Sequence, residues 1–235
     1  MTEDLNATDA SLRTREAAVV GHVEDGVVLD RAVFYARGGG QPGDTGVLRW
    51  DDGEVRVADT FKAGGEVVHR VEGGPPPVGA RVTCDIDRDS RHRLMRTHAA
   101  LHALSCTVVC DDAATTTGGN MEPGAARMDF ELETIGAGFG REVEGKLKAG
   151  LSADRPVRVR FLPRAGALAD PDLIRAKVNL IPETVDPIRV IEREGLDEQA
   201  DAGTHVRSTA EVGPVRFART ENKGKTFERM RIELA

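Results

Sequence analysis

Asp89-Ser-Arg-His-Arg-Leu-Met-Arg-Thr-His-Ala-Ala-Leu-His-Ala-Leu-Ser-Cys-Thr-Val-Val-Cys110 is the stretch where the chain changes character. It holds neither glycine nor proline, the two residues least suited to a helix interior. Leu94, Met95, Leu101, Leu104, Val108 and Val109 recur at roughly helical spacing. The pattern predicts one long helix, with Ser90 placed to cap its start. Working back from it, the chain reads as short strands. Glu16–Asp30 is strand, turn, strand, and further strand-like pieces lie at Gly46–Trp50, Glu54–Phe61, Val67–Glu72 and Val82–Ile86. Between them, Gly38 to Gly46 holds five glycines and a proline in nine residues, which excludes a helix interior. Turn signals every eight to twelve residues suggest a small β-barrel or sandwich. Working forward, a glycine-weakened helix is expected over Glu133–Leu151 and a short one over Asp170–Val178. Strands are expected at Val157–Phe161, Ile188–Glu192, Val206–Thr209, Val212–Arg219 and Phe227–Leu234. The fold class expected is α+β: an all-β domain over residues 1–88, then an α+β domain over 89–235.

Composition narrows the setting. With 235 residues there is ample chain for a buried core. No run of about 18 apolar residues exists, so no membrane-spanning helix is expected. The acidic, polar start lacks the apolar stretch of a signal peptide, and a cytoplasmic location is the default. Three cysteines, Cys84, Cys106 and Cys110, argue against a disulfide framework. A net charge of −7 sits poorly with binding nucleic acid, unless the cations are concentrated locally. Many aspartates and few lysines fit a high-salt cytoplasm or an ordinary acidic protein equally well.

His98 and His102 are four apart on the predicted helix, which places both imidazoles on one face within reach of one metal ion. The spacing alone also fits two polar residues on a solvated face. Ala99 stands where helical metalloproteases carry a glutamate, which argues against peptide hydrolysis by their route. Cys106 and Cys110 continue the four-residue step, but His98 and Cys106 lie about 12 Å apart along a helix axis, too far to share an ion bound at about 2.0–2.3 Å. They read better as small core residues. Asp201-Ala-Gly-Thr-His205 offers a carboxylate and an imidazole from one loop, residue types zinc accepts. His22, His69 and His92 lack partner spacing and read as surface or structural. Arg88, Arg91, Arg93 and Arg96 form a cationic group suited to phosphate, diluted by Asp85, Asp87 and Asp89. A second cationic set is Arg216, Arg219, Lys223, Lys225, Arg229 and Arg231.

These pieces occur in an order that resembles a known family. Gly38-Gly-Gly-Gln41, within Phe34-Tyr-Ala-Arg-Gly-Gly-Gly-Gln-Pro-Gly-Asp-Thr-Gly46, resembles the glycine motif of alanyl-tRNA synthetases and their free-standing relatives. Arg96-Thr-His-Ala-Ala-Leu-His102 resembles the family's first zinc motif. Gly203-Thr-His-Val206, with Thr209 and Glu211-Val-Gly213, resembles the second. Asn222-Lys-Gly-Lys225 and Arg229-Met-Arg-Ile-Glu-Leu234 are similar to the end of that editing domain. The match runs over residues 16–234. The resemblance implies a free-standing alanyl-tRNA editing protein of the AlaX type, without the ATP-dependent aminoacylation core. It implies a β-barrel joined to the editing domain shared with threonyl-tRNA synthetase. It also implies one Zn²⁺ per chain on His98, His102 and His205, with Asp201 standing where the family has a cysteine. The activity implied is hydrolysis of Ser- or Gly-tRNA(Ala), with Thr204 and Gln41 positioning the substrate. Gly38, Gly39, Gly40, Arg88, Arg91, Arg93 and Arg96 would meet the tRNA acceptor end, and the chain would be a monomer or homodimer. Ala99 stands where the family commonly has threonine, so serine selectivity is expected to differ. Two other readings remain: a non-catalytic zinc module that binds RNA, and a metal hydrolase acting on a small ester or amide.

Overall fold

The computed structural model describes residues 2–24, 26–112, 114–132, 136, 138–174, 181–224 and 227–235, without the side chains of 110–112, 223 and 224. The chain divides into two compact units, Met1–Arg93 and Leu94–Ala235.

The first unit is a closed, wholly antiparallel barrel of six strands: β1 (Thr14–Val23), β2 (Gly26–Leu29), β3 (Gly46–Trp50), β4 (Gly53–Ala63), β5 (Glu66–Glu72) and β6 (Arg81–Ile86), closed in the order β1-β2-β5-β4-β3-β6. Its interior follows from the period-two pattern of the strands. Val19, Val27, Leu29, Leu48, Val57, Val82, Cys84 and Ile86 point inward with Phe34, so branched aliphatics fill the space that aromatics would elsewhere. His69 is fully buried too. Its Nδ1 lies 3.2 Å from the Val27 carbonyl, its ring meets Phe34 edge-on, and its Nε2 has no hydrogen-bond partner among the described residues.

The glycine-rich segment is a tight turn followed by a buried anchor. Gly38 and Gln41 exchange backbone hydrogen bonds at 3.1 and 2.9 Å. Gly39 and Gly40 have φ of 57° and 80°, the left-handed pair that favours glycine at both central positions of such a turn. Gly43 passes so close to β4 that a Cβ there would stand 2.1 Å from the Thr60 carbonyl oxygen. Asp44 then turns inward. Its carboxylate accepts from the Tyr35 amide at 2.7 Å and from Arg91 Nε and Nη2, and Arg91 also donates to the carbonyls of Ala10 and Val33. Both side chains are 2 % exposed.

The long helix α1 spans Arg88–Asp112, two residues more than expected at its C-terminus and one at its start. Asp87, not Ser90, caps it: Asp87 Oδ1 accepts the Ser90 amide at 3.0 Å. Nearly every side chain from Leu94 to Cys106 is buried, with Arg96 partly exposed. The second unit adds β7 (Thr115–Glu122), β8 (Ala125–Glu131), α2 (Phe139–Ser152), β9 (Val157–Leu162), α3 (Arg164–Ala169), β10 (Ile188–Arg193), β11 (Asp197–Ala200), β12 (Val215–Gly224) and β13 (Phe227–Leu234). Two antiparallel sheets result, ordered β12-β13-β8-β7 and β9-β10-β11. The α+β class expected from the sequence is the class found. In α2, Val143, Leu147 and Leu151 are buried at four-residue spacing. Residues 133–135 and 137 of that expected helix, and 175–178 of the expected Asp170–Val178 helix, lie outside the described residues. The described part of the latter is a turn closed by the Leu173 amide on the Asp170 carbonyl. Val206–Thr209 is not a strand. Ser208 caps a 3-10 turn over Thr209–Val212, with Glu211 reaching back to complete a capping box. No helix among the described residues is long and apolar enough to cross a membrane.

Candidate metal centre

His98 and His102 project from one face of α1 and are 2 % and 7 % exposed. Their partners come from the loop that leaves β11. Arg189, on β10, shapes that loop: its carbonyl accepts the Asp201 amide, and its Nη1 donates to the carbonyls of Asp201 and Gly203 at 2.8 Å each. Asp201 Oδ2 then accepts the Gly203 amide at 2.8 Å, a local turn of the kind aspartate favours. The result brings His205 back over its own aspartate, with Nε2 2.8 Å from Oδ2. Asp201 Oδ1 lies 3.7 Å from His98 Nε2 and 3.8 Å from His102 Nε2. The three rings stand with centroids 4.5–4.8 Å apart.

One donor atom from each of the four residues lies within 4.8 Å of the others. Four nitrogen and oxygen donors around one tetrahedral zinc, at about 2.0–2.2 Å, stand roughly 3.3–3.5 Å apart. The cluster fits that arrangement with small adjustments. Its electrostatics fit as well. Burial pushes His98 down to about 3, against the pull of Asp201, and pushes His205 well below the usual imidazole range. Burial alone would raise the Asp201 carboxyl, but His98 and hydrogen bonds from His102 and His205 outweigh it and hold it well below the usual value. At neutral pH the centre therefore presents imidazole lone pairs beside a buried carboxylate. An isolated buried anion is costly, and a cation in the centre relieves that cost.

His102 has an unusual neighbour. Arg193 Nη2 lies 3.1 Å from its Nδ1, and arginine only donates. A histidine that binds metal through Nε2 ordinarily donates from Nδ1 to a carboxylate or carbonyl. Here a guanidinium takes that place. Arg193 is itself held by Asp197, at 2.5 Å, and both side chains are almost fully buried. Gln199 bonds the same carboxylate.

Thr204, between Gly203 and His205, is fully buried. Cys106 is buried with Sγ 3.5 Å from the Leu196 carbonyl, outside the donor cluster; the side chain of Cys110 lies outside the described residues. In the first unit, Gly38 and Gly39 are exposed on the turn, whereas Gln41 is 2 % exposed. Arg88 and Arg93 are exposed. Arg91 is a correction to the expected phosphate contacts, because Asp44 and two carbonyls engage its guanidinium in the interior. Arg96 is partly exposed and donates to the Val212 carbonyl at 2.9 Å. Sequence reasoning missed Arg189, Arg193 and Asp197. The available signal was Ile188-Arg-Val-Ile-Glu-Arg193, an apolar strand whose arginines, four apart, share one face.

Two family models match the chain: tRNA synthetases class II (A) over residues 8–90, and the threonyl and alanyl tRNA synthetase second additional domain over residues 188–231. The chain thus carries two parts known from aminoacyl-tRNA synthetases. It is 34 % identical to the alanyl-tRNA editing protein AlaX-M of Saccharolobus solfataricus, the alignment covering 98 % of each chain. It is 33 % identical to AlaX-M of Methanosarcina acetivorans, over 100 % of this chain and 99 % of that one. It is 38 % identical to the alanine–tRNA ligase of Methanopyrus kandleri over 88 % of this chain but 23 % of the ligase. The chain belongs to the AlaX-M family of alanyl-tRNA editing proteins.

Proposed function

We propose that this protein hydrolyses the ester bond of mischarged tRNA(Ala), releasing serine or glycine, and that His98, His102, His205 and Asp201 hold one Zn²⁺ for that purpose. The observation that carries the reading is the convergence of three imidazoles and one carboxylate in a mostly buried cluster, within a chain that aligns end to end with AlaX-M proteins. Zinc in such a centre supplies a Lewis acid able to polarise the ester carbonyl or fix the amino group. The chain's own residues do the rest. The burial of His98 and His205 keeps their rings uncharged, so each retains a lone pair for an ion at neutral pH. Arg189 fixes the loop that carries Asp201 and His205, and Thr204 supplies a hydroxyl beside them for the substrate. The exposed turn at Gly38–Gly40 and the exposed Arg88 and Arg93 supply contacts for tRNA, Gln41 sets the form of that turn, and Arg96 contributes its exposed part. We assign residues 1–88 to the glycine-motif barrel and residues 89–235 to the editing domain. Ester hydrolysis runs downhill, so the reaction calls for no ATP.

The test is release of labelled serine, glycine and alanine from tRNA(Ala) by wild type and His98→Ala. Wild type is expected to release serine or glycine faster than alanine, and His98→Ala to lose at least about 100-fold. Binding of tRNA without release would point instead to an RNA-binding zinc module. Activity on small esters that tRNA does not inhibit would point to a different hydrolase.

A further inference from the structure

The outer face of the β12-β13-β8-β7 sheet carries a group of arginines that the metal centre does not use. Along β13, buried Glu228, Met230 and Ile232 alternate with the more exposed Arg229, Arg231 and Glu233. The strand register sets Arg231 directly opposite Arg127 on β8 and directly opposite Arg219 on β12. Three arginines thus stand abreast across three strands. Like charges directly opposite one another repel across a sheet, and carboxylates beside the row offset that repulsion.

Acidic neighbours restrain the row without burying it. Glu221 pairs with Arg219 and Arg231 at 2.7 Å each, and Asp129 pairs with Arg127 at 3.0 Å. The side chains of Arg219, Arg231 and Arg127 remain 64 %, 36 % and 29 % exposed. With Arg216 they line an open groove of about 620 Å³, against two carboxylates, Glu122 and Glu233. A chain of net charge −7 can meet a polyanion only where its cations are concentrated. At the start of α1, Arg91 is spent on Asp44 and Arg96 bonds the Val212 carbonyl. On the sheet face, by contrast, Arg127, Arg216, Arg219 and Arg231 are all at least partly exposed.

We propose that the Arg127–Arg231–Arg219 row binds the sugar–phosphate backbone of the tRNA substrate. Guanidiniums match phosphate oxygens bidentately and read no bases, so the contact adds affinity and orientation rather than sequence preference. The inference rests on tRNA being the substrate, as proposed above.

The experiment measures binding of deacylated tRNA(Ala) to the full chain over a salt series, for wild type, Arg231→Gln and Glu221→Gln. Arg231→Gln leaves Glu221 paired with Arg219, so it should melt no lower than wild type. It should bind tRNA about three- to tenfold more weakly at low salt and lower the log–log salt slope by about one. Glu221→Gln frees two arginines and should bind more tightly. In parallel, both variants should hydrolyse the serine ester of adenosine, which carries no phosphate, at the wild-type rate. Unchanged affinity and slope in both variants, with wild type binding tRNA, overturn the proposal and leave the editing reading intact. Arginine-dependent tRNA binding without hydrolysis of any aminoacyl ester overturns the editing reading alone. A wild-type protein that binds no tRNA overturns both.

Discussion

Asp201 stands where the family resemblance expects a thiolate, and its carboxylate touches all three histidines. A carboxylate is a harder ligand than a thiolate and favours zinc less. Asp201→Cys is therefore expected to bind zinc at least about tenfold more tightly in a chelator competition, and Asp201→Ala at least about tenfold less tightly. Equal zinc affinity in Asp201→Ala and wild type would remove Asp201 from the ligand set. His69 gives a separate, pH-dependent expectation. Burial pushes it down to about 4, opposed by the Val27 carbonyl. The folded barrel keeps this ring uncharged, while the unfolded chain takes up a proton below about 6.5. Its contribution is fully present above about pH 6.5 and is lost as pH falls toward 4, by about 1.4 kcal/mol per pH unit. Denaturant unfolding at pH 7 and pH 5 should show a smaller acid loss in His69→Gln than in wild type; an equal loss would rule the ring out. Legibility at this scale was uneven. Helical spacing made His98 and His102 candidates, the Asp201/His205 loop offered two further ligand types, and the resemblance joined them into one site. For Arg193 the strand pattern could place it on one face with Arg189, but no spacing shows that it lies against His102.

The Asp44–Arg91 pair ties the glycine segment to the first turn of α1, and it lies wholly in the interior of the first unit. Removing one partner of such a pair strands a buried charge, so Asp44→Ala should cost about 3–5 kcal/mol in equilibrium unfolding. The double variant Asp44→Leu/Arg91→Leu should recover much of that loss, as neither charge then remains. A cost under about 1 kcal/mol for Asp44→Ala would mean that the guanidinium finds water instead. The barrel strands were legible as short apolar stretches between turn signals, some of them, such as β6, alternating between buried and more exposed positions. The β7–β8 hairpin was not. Gly118, Gly119, Pro123 and Gly124 interrupt the segment, and β7 is an edge strand whose mostly exposed side chains leave no apolar alternation. Val206–Thr209 misled in the other direction: β-branched residues suggested a strand, whereas the Ser208–Glu211 capping box makes a 3-10 turn.

Across the whole chain, the switch near Arg88 from turn-punctuated strands to a glycine-free helix is what made the α+β class readable. The order of the motifs made the family readable, and alignment with AlaX-M proteins along essentially their full length agrees with it. Net charge was the misleading global signal. It hides where the charge sits: Arg127, Arg231 and Arg219 stand abreast on one sheet of the second unit. The central claim is that a metal held by His98, His102, His205 and Asp201 is needed for editing. The most direct measurement follows serine release from Ser-tRNA(Ala) by protein stripped with a chelator, then restored with increments of zinc. The account predicts that release falls to background on stripping and returns in full at one zinc per chain. Undiminished release by protein shown to hold no metal would contradict it.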